Sequence, residues 1–314
     1  MAERQPARSI VVTGANRPLG RRVAEALRGK PFVKRVVGIE PAPSSEWLDG
    51  VELVPLESDP RELVALLQQF GTDTVVHCAL ADDRSGTAVT PSGANVIQTM
   101  RLGAAVGDAK VSVRSWIVAS SSDVYPASSH APLLYREDAA TECEDDSRES
   151  SLLEAEEYAR DVAEHALHLN VCILRLAPIV GPGFRSPFGS LLAQSPLPAP
   201  LGFDPPLQLL HVDDAVDALC FAVERELAGV YNVASSGVYR WSEVASELGR
   251  RTLPIPPVSS WLLATLLRTL GLPHIPEGLV DRLRFGHAVD TAKLASAGFV
   301  PRMDQRACLR TSSA

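Results

Sequence analysis

The stretch SIVVTGANRPLGRRVAEAL, residues 9–27, predicts the fold of this chain. It opens with a β-branched run that ends at Thr13, continues through a loop bracketed by Gly14 and Gly20, and ends in residues that favour a helix. Glycine lets the backbone turn sharply and approach a phosphate, and a helix N-terminus offers free N–H groups and a positive dipole. A strand, a loop and a helix in this order indicate a site for the pyrophosphate of a dinucleotide.

A carboxylate follows at the position where the ribose of such a dinucleotide is bound. The apolar run 36–39 ends at Glu40, about 20 residues after Gly20. A carboxylate there accepts hydrogen bonds from the ribose hydroxyl groups of NAD and repels the 2′-phosphate of NADP. We therefore expect NAD to be the cofactor, with NADP as the alternative. An ordinary strand-to-helix turn with a chance pair of glycines is the other interpretation.

Length, composition and charge exclude several classes of protein. With 314 residues, of which 46% are hydrophobic, the chain can bury one large α/β core and a smaller appendage. A formal net charge of −8 argues against nucleic acid or an anionic membrane as the main partner. The N-terminus lacks the apolar core of a signal peptide, and the apolar stretch 261–270 is too short to span a bilayer. We expect a cytoplasmic protein that binds neither nucleic acid nor membranes.

The cysteines do not form a pattern that binds metal. They lie at positions 78, 143, 172, 220 and 308, far apart and without a C-x-x-C pair. Such spacing favours reduced and mostly buried thiols, and we expect no metal site.

Apolar runs of strand length alternate with helical segments, which is typical of a parallel sheet in an α/β fold. Residues 178–206 contain eight prolines and cannot continue a regular sheet. We predict a Rossmann-type, doubly wound parallel sheet in residues 1–177 and 207–234, and a smaller, mostly helical substrate-binding lobe in residues 178–206 and 235–314. The predicted strands are 9–13, 35–40, 51–56, 74–78, 115–119, 172–176 and 229–233, and the predicted helices are 19–28, 61–69, 92–107, 151–168 and one that resumes at Asp213.

Short motifs occur in order along most of the chain. They are TGANRPLG (13–20), VVHCA (75–79), SSSDVY (120–125), LRLAPIVGP (174–182), HVDD (211–214) and YNVA (231–234). In this order they resemble the extended short-chain dehydrogenase/reductase family, and within it the NAD-dependent epimerase/dehydratase group. No single motif is decisive, but the ordered set is specific. The resemblance implies NAD as cofactor and a small-molecule substrate such as a nucleotide sugar.

The resemblance also implies which residues form the sites. Ser121 lies where the family has a hydrogen-bonding serine or threonine, and it is the catalytic candidate. The candidates for contact with substrate are Asp123, Tyr125, Arg185 and Arg282, the two arginines by their charge, with a surface role as the alternative. The candidate cofactor-binding residues are Gly14, Asn16, Arg17, Pro18, Leu19, Gly20, Glu40, Asp59, Cys78, Ala79, Leu80, Ser120 and Pro178. A homodimer built on the helices near 92–107 and 151–168 is implied as well.

The nucleotide loop departs from the family pattern at its middle glycine, because Arg17 and Pro18 fill both candidate positions. A side chain there narrows the approach of the pyrophosphate to the backbone. Pro18 also lacks an N–H, although its fixed φ suits a first helical turn. Arg17 has three alternative roles: a cation beside the phosphates, a partner for the extra phosphate of NADP, and a solvated surface arginine.

A larger departure concerns proton transfer. Catalysis in the family uses a tyrosine with a lysine four residues later, which lowers the pKa of the tyrosine and holds the ribose. The chain contains no lysine between Lys110 and Lys293. Counting back from Arg175 without a gap places the pair at or near Asp146 and Ser150. We therefore predict that the catalytic pair is absent.

Other polar residues have a structural interpretation beside the functional one. Ser121 has no neighbouring base, so it is either catalytic or an ordinary serine at a strand end. We predict that His77 is a hydrogen-bonded histidine at a strand end rather than a base, and that His211 packs against or caps the helix after it.

Two functions remain open. The first is an NAD(P)-dependent epimerase, dehydratase or reductase with a nucleotide-sugar-like substrate, which would need Tyr125, Tyr158 or an ordered water as proton donor. The second is a nucleotide-binding regulator or assembly partner that keeps the fold without the chemistry. The missing tyrosine–lysine pair favours the second. The retained SSSDVY run favours the first, toward which the sequence leans slightly.

Overall fold

A computed structural model of the chain describes residues 7–40, 50–55, 59–80, 92–139, 141, 148–184, 186–256, 277–286 and 288–312. The chain divides into two compact units. The first comprises Met1–Val124, Cys143–Leu176 and Val216–Tyr231, and the second comprises Tyr125–Glu142, Ala177–Ala215 and Asn232–Ala314. No helix within the described ranges is long and apolar enough to cross a membrane.

The helices and strands alternate through the first part of the chain and become shorter in the second. In chain order the first are β1 (Arg8–Thr13), α1 (Pro18–Arg28), β2 (Val33–Glu40), β3 (Glu52–Pro55), α2 (Pro60–Gln69), β4 (Thr74–His77), α3 (Ser92–Val106), β5 (Ser115–Ser121), α4 (Arg148–His165) and β6 (Asn170–Leu176). The remainder are β7 (Ile179–Val180), α5 (Pro187–Leu192), β8 (Leu197–Pro200), β9 (Pro206–Leu207), β10 (Leu210–His211), α6 (Val212–Arg225), β11 (Gly229–Val233), β12 (Tyr239–Arg240), α7 (Trp241–Glu247), β13 (Thr252–Ile255), α8 (Glu277–Phe285), α9 (Ala292–Ser296) and α10 (Gln305–Ser312).

A seven-stranded sheet with the order β11-β6-β5-β4-β1-β2-β3 forms the centre of the fold. Each pairing among β1 to β6 is parallel. Every residue of β4 and β5 is buried, as expected for strands that are covered on both faces. The strand order from β3 to β6 is that of a Rossmann fold, which confirms the predicted doubly wound parallel sheet.

Helix α1 is positioned by its contact with the loop before it. Its apolar face buries Leu19, Val23 and Leu27, which follow each other at helical spacing. A Cβ on Gly20 would collide with the carbonyl oxygen of Gly14. The two backbones therefore touch, and this contact holds the N-terminus of α1 at the carboxyl end of β1.

The second unit has a core of its own, built on short elements. Among its described residues, two-stranded ladders pair β7 with β10, β8 with β13 and β9 with β12. Trp241 is buried in an apolar cluster with Phe188 and Leu283, and its indole N–H donates to the carbonyl of Pro198 at 2.9 Å. The Asp214 carboxylate accepts the backbone N–H groups of residues 302 and 303 and so fastens the C-terminal segment of this unit.

Most predicted elements agree with the structure to within a few residues. Helix α4 begins at Arg148 and ends at His165, three residues earlier at each end than predicted. Leu167 follows it in a turn and is 91% exposed, so burial of its side chain does not stabilise a longer helix. The apolar stretch 261–270 lies outside the described residues. The described cysteines, Cys78, Cys172, Cys220 and Cys308, are buried thiols that form no disulfide bond with one another, as predicted.

Candidate functional site

A cleft lies in the first unit at the carboxyl ends of β1, β2 and β4. These strands bring together the predicted cofactor-binding residues Gly14, Arg17, Glu40 and Ala79. Carboxyl ends of parallel strands are where open α/β sheets bind ligands. The other residues that line the cleft are Thr13, Ile39, Leu63, His77, Gln98 and Leu102.

Gly14 gives the loop its shape. Its φ of +76° lies in the left-handed region that favours glycine. A Cβ at this position would lie 3.0 Å from the backbone nitrogen of Ala79, which is tighter than ordinary contacts. The loop after β1 and the loop after β4 therefore approach closely.

Glu40 is held in the cleft by the loop itself. Its Oε1 accepts the backbone N–H of Asn16 at 2.8 Å, and the residue is only 9% exposed. Burial raises the pKa of the Glu40 carboxyl, while the hydrogen bond from Asn16 and the charge of Arg17 oppose that rise. A fixed acceptor at the end of β2 is suited to receive ribose hydroxyl groups.

Arg17 is a half-buried part of the cleft and not a freely solvated arginine. Its Nη1 donates to the carbonyl oxygen of Ala79 at 2.7 Å, and its backbone N–H donates to Gly14 at 3.0 Å. Its φ of −85° is open to any residue, so the backbone here does not require glycine. Pro18 is the first residue of α1 and has no N–H, which leaves one donor fewer for a phosphate.

His77 is a structural histidine, as predicted. Its Nδ1 lies 2.6 Å from the Thr13 hydroxyl and its Nε2 lies 3.1 Å from the Thr99 hydroxyl. Burial, helped by the charge of Arg17, lowers the pKa of His77 to about 3. The ring is therefore neutral near pH 7, and both nitrogens serve to tie β4 to its neighbours. His211 likewise caps α6, since its Nδ1 accepts the N–H of Asp213 at 3.2 Å.

Several predicted cofactor-binding residues have other positions. Asp59 caps α2, where its carboxylate accepts the N–H of Arg61 at 2.8 Å, and it does not line the cleft. Leu19, Cys78 and Leu80 are fully buried beneath the loops. Pro178 belongs to the second unit.

The predicted active-site strand ends in a network of buried polar groups. The Ser120 hydroxyl donates to Oε1 of Glu156 at 2.6 Å, and both residues are 0% exposed. Arg175 donates to the same carboxylate through Nε and Nη2. Ser120 therefore directs its side chain away from the cleft and into the joint between α4, β5 and β6. Sequence reasoning missed Glu156, although a glutamate between Leu152 and Ala159 on the apolar side of a helix is a detectable signal.

Ser121, the catalytic candidate, shapes the turn after β5. Its Oγ accepts the N–H of Asp123 at 3.1 Å. Ser121 is 8% exposed and Asp123 is 1% exposed, and Asp123 lies in a single 3-10 turn at 122–124. The hydroxyl therefore has a structural partner.

Gln98 and Leu102 of α3, with Leu63 of α2, complete the cleft, and sequence reasoning missed them because nothing in their spacing distinguishes them from core residues.

The two tyrosines considered as proton donors make packing contacts in the structure. Tyr125 is fully buried in the second unit, stacks on Tyr135 with ring centroids 4.8 Å apart, and donates to Oδ1 of Asn232 at 2.8 Å. Tyr158 of α4 packs over Gly103 of α3, where a Cβ would lie 2.5 Å from the tyrosine ring. Burial and the nearby charge of Asp161 raise the pKa of Tyr158. Proton transfer from the Tyr125 hydroxyl would first require a change in its packing.

Of the two arginines predicted to contact substrate, the structure describes Arg282 but not Arg185. Arg282 of α8 is 7% exposed. Burial raises the pKa of Tyr135 and the charge of Arg282 opposes that rise, so the guanidinium acts on the tyrosine. Arg185 and Asp146 lie outside the described residues, and Ser150 is half-buried in the first turn of α4.

Among the described residues, no group of three or more His, Cys, Asp or Glu is arranged to hold a metal ion.

A Rossmann-type sheet with a glycine-bounded loop and a buried acid at the end of β2 defines a dinucleotide-binding fold. The model of the NAD-dependent epimerase/dehydratase family matches residues 10–234. The chain belongs to that family.

The chain is also similar to proteins of two mycobacteria and to several solved structures. Uncharacterized proteins of Mycobacterium bovis and Mycobacterium tuberculosis are 31% identical over 301 residues, which cover 93% of this chain and 80% of each relative. A putative epimerase from Burkholderia cenocepacia has a TM-score of 0.72 at 22% identity, over 98% of both chains. UDP-glucuronic acid 4-epimerase from Bacillus cereus, in complex with NAD, has a TM-score of 0.70 at 19% identity, over 96% of both chains. MoeE5, in complex with UDP-glucose and NAD, has a TM-score of 0.67 at 25% identity, over 97% of both chains.

Proposed function

We propose that this protein binds NAD in the cleft of the first unit and is an epimerase-like or dehydratase-like protein whose acid–base machinery is degenerate. The observation that carries the proposal is the placement of Glu40 beside the loop of Gly14, with Oε1 held by the N–H of Asn16. The complexes of MoeE5 and of UDP-glucuronic acid 4-epimerase with NAD support it.

The residues of the cleft fit the parts of a dinucleotide. Gly14 has no side chain, so the loop after β1 lies against the backbone of Ala79 at the edge of the cleft. Glu40 would receive the ribose hydroxyl groups, and Ile39 and Leu63 offer apolar surface to the adenine. NAD, when bound, supplies a nicotinamide ring that accepts and returns hydride. The neutral ring of His77 holds β4 in place and neither takes nor gives a proton near pH 7.

For the substrate we propose a nucleotide-sugar-like molecule. UDP-glucose in the MoeE5 complex supports this class. We assign its binding to the lobe of residues 178–206 and 235–314, where Arg282 and Arg185 supply charge for a diphosphate. We further propose a homodimer on α3 and α4 and a location in the cytoplasm.

The experiment is a calorimetric titration of the purified protein with NAD and with NADP. We expect NAD to bind more tightly, and Glu40→Ala to weaken NAD binding by about tenfold, because a charge-assisted hydrogen bond is lost. Glu25→Ala removes an exposed carboxylate from α1 and should leave the affinity unchanged. Failure of both dinucleotides to bind would refute the proposal, and tighter binding of NADP would refute the preference.

A nucleotide-binding regulator without turnover is the second candidate, favoured by two specific observations. The chain has no lysine between Lys110 and Lys293, and the Ser121 hydroxyl accepts the N–H of Asp123. Native mass spectrometry of the protein with NAD and UDP-glucose, followed by product analysis, separates the two functions. A bound but unaltered sugar nucleotide supports the regulator, and an epimerised or dehydrated one supports the enzyme.

A further inference from the structure

A second pocket lies at the opposite end of β2 from the candidate dinucleotide cleft. Val33, the first residue of β2, lines this pocket, whereas Glu40, the last residue, lines the cleft. A strand rises about 3.3 Å per residue, so the two ends of β2 are roughly 20 Å apart. The pocket lies wholly in the first unit and has a volume of about 240 Å³. Drug-sized ligands occupy pockets of about 300–1,000 Å³, so this one suits a smaller molecule or an ion.

The pocket exists because β2 extends beyond its neighbour at this end. Strand β3 pairs with β2 only from Val37 onward, so, within the described strands, residues 33–36 have no partner in β3. On the side of β1 the register shifts by one residue after Arg8, which makes Lys34 the extra residue of a β-bulge. Bulges redirect side chains. Lys34 and Arg35 therefore both line the pocket, although successive residues of a regular strand point to opposite faces.

Positive charge is in excess in this pocket. Among its described lining residues, Arg28, Lys34 and Arg35 are cations and Glu52 is the single acid, which leaves a net charge of +2. The whole chain, in contrast, has a formal net charge of −8. None of the ion pairs that join described residues includes any of these three cations. A local excess of positive charge attracts anions.

Two of the cations are held in place by neighbouring groups. A Cβ on Gly50 would collide with Nη1 of Arg28, so the guanidinium lies against the bare backbone of this glycine. The guanidinium carbon of Arg35 lies 5.5 Å from the centre of the Phe70 ring, within the range of cation–π attraction. Side chains that are ordered before a ligand arrives lose less entropy when it binds.

We propose that this pocket binds a small phosphate-bearing anion through Arg28, Lys34 and Arg35. Guanidinium groups match the oxygens of a phosphate in pairs, and the ammonium of Lys34 adds a compact charge. The site shares no residue with the candidate dinucleotide cleft, so the inference does not depend on the binding of NAD. The phosphate belongs either to a free ion or to a nucleotide, and the test includes both.

The test is calorimetry and thermal unfolding of the full chain with inorganic phosphate, with diphosphate and with ATP, at constant ionic strength. We expect at least one of the three to bind with a Kd of about 1 mM or tighter and to raise the Tm. The double variant Arg28→Gln with Lys34→Gln should weaken this binding about tenfold or more, because two charge-assisted contacts are lost. Lys34→Arg keeps the charge and should stay within about twofold of the unmodified protein.

The double variant Arg61→Gln with Arg251→Gln provides the matched control. Both arginines are exposed and lie outside the pocket, so this variant loses the same two charges without changing the site. Its affinity for the anion should equal that of the unmodified protein. Saturating NAD should also leave that affinity unchanged, because the cleft is at the other end of β2.

Each outcome decides the proposal. Binding of phosphate or diphosphate that depends on Arg28 and Lys34 supports a site for a free ion, and binding of ATP alone with the same dependence supports a site for a nucleotide. Absence of binding of all three up to about 10 mM would overturn the proposal. An equal loss of affinity in the control variant, or displacement of the anion by NAD, would overturn it as well. Failure of NAD to bind would refute the proposed function and leave this site intact.

Discussion

Arg175 and Glu156 form a buried ion pair, with Nη2 of Arg175 2.7 Å from Oε2 of Glu156. Arg175 is 2% exposed and Glu156 is 0% exposed, and the hydroxyl of Ser120 donates to the same carboxylate. The pair therefore joins α4 to the two strands that carry Ser120 and Arg175. Because both charges are out of water, each depends on the other for its stabilisation.

Removing one member of this pair should destabilise the protein severely. We expect Arg175→Met to lower the free energy of unfolding by about 3–5 kcal/mol, since it leaves the Glu156 carboxylate without its buried guanidinium partner. The double variant Glu156→Leu with Arg175→Met should cost less than the sum of the single changes. Urea unfolding measures both. Arg160→Gln is the control, because Arg160 meets the same carboxylate from a half-exposed position, and a cost for Arg175→Met as small as that of the control would contradict the prediction.

Glu40→Gln should stabilise the free protein near neutral pH. The pKa of Glu40 is raised in the folded state, so folding favours its protonated form. This contribution is present below the ordinary carboxyl pKa and is lost as the pH rises through the raised value. Glutamine keeps an acceptor for the N–H of Asn16 without the charge. Thermal unfolding from pH 4 to pH 8 measures this. The Tm of the variant should rise relative to the Tm of the unmodified protein as the pH rises, and parallel curves of Tm against pH would contradict the argument.

His77 should make the protein sensitive to mild acid. Its folded pKa of about 3 lies below the ordinary value of 6.5, so the unfolded chain binds a proton that the folded chain refuses. The associated stability is present above pH 6.5 and is lost as the pH falls toward 3, at about 1 kcal/mol per pH unit. His77→Gln should be less stable at pH 7. Its free energy of unfolding, measured by urea titration, should change less between pH 7 and pH 5 than that of the unmodified protein. An equal slope in both proteins would show that His77 does not carry this dependence.

The proposed homodimer should depend on salt. Helix α3 exposes Ile97 at 49% and Met100 at 44%, which suits an interface. The exposed side of α4, however, carries the acids Glu154, Glu157, Asp161 and Glu164, which would face their copies around a two-fold axis. We expect light scattering to show a dimer whose fraction rises with salt as this repulsion is screened. Ile97→Asp should yield monomer, and a monomeric mass for the unmodified protein at all concentrations would count against the dimer.

Turnover on nucleotide sugars should be very low even with NAD present. General acid–base help is typically worth about 10² to 10⁴ in rate, and the chain lacks the lysine that supports it. Ser121→Ala should change any residual rate only slightly, because the Oγ of Ser121 is engaged by the N–H of Asp123. Product formation from UDP-glucose with NAD measures this. Steady turnover near about 10 s⁻¹, an ordinary enzyme rate, would mean that another residue has taken over the proton.

The sheet was predictable because each strand carries its own signal. Runs such as Val36 and Val37 before Glu40 identify a buried strand locally, and the carboxyl ends of parallel strands must then meet at one edge. The partners of polar side chains were not predictable in this way. The pairing of Glu156 with Arg175 joins residues 19 apart in the chain. It exists only once α4 has packed on β6, so no periodic pattern records it.

The same limit applies to Asp59 and Tyr125, whose partners in the folded chain their motifs do not show. Asp59 precedes Pro60, and a local capping bond to the N–H of Arg61 competes with any contact to a ligand. Tyr125 follows the active-site strand by only a few residues, yet its ring is drawn into the stack with Tyr135. In both cases the motif alone does not record the partner that the folded chain supplies.

The backbone contact between Gly14 and Gly20 has a consequence for how such motifs are interpreted in degenerate relatives. Because a Cβ on Gly20 would collide with the Gly14 carbonyl, a chain that no longer bound any nucleotide would still need glycine at that position to fold. The two glycines thus indicate the fold and not nucleotide binding, and a pseudoenzyme would keep them as an active enzyme does. Loss of ligand would instead be recorded at positions that folding leaves free to vary, and in this loop those are Arg17 and its neighbour Pro18.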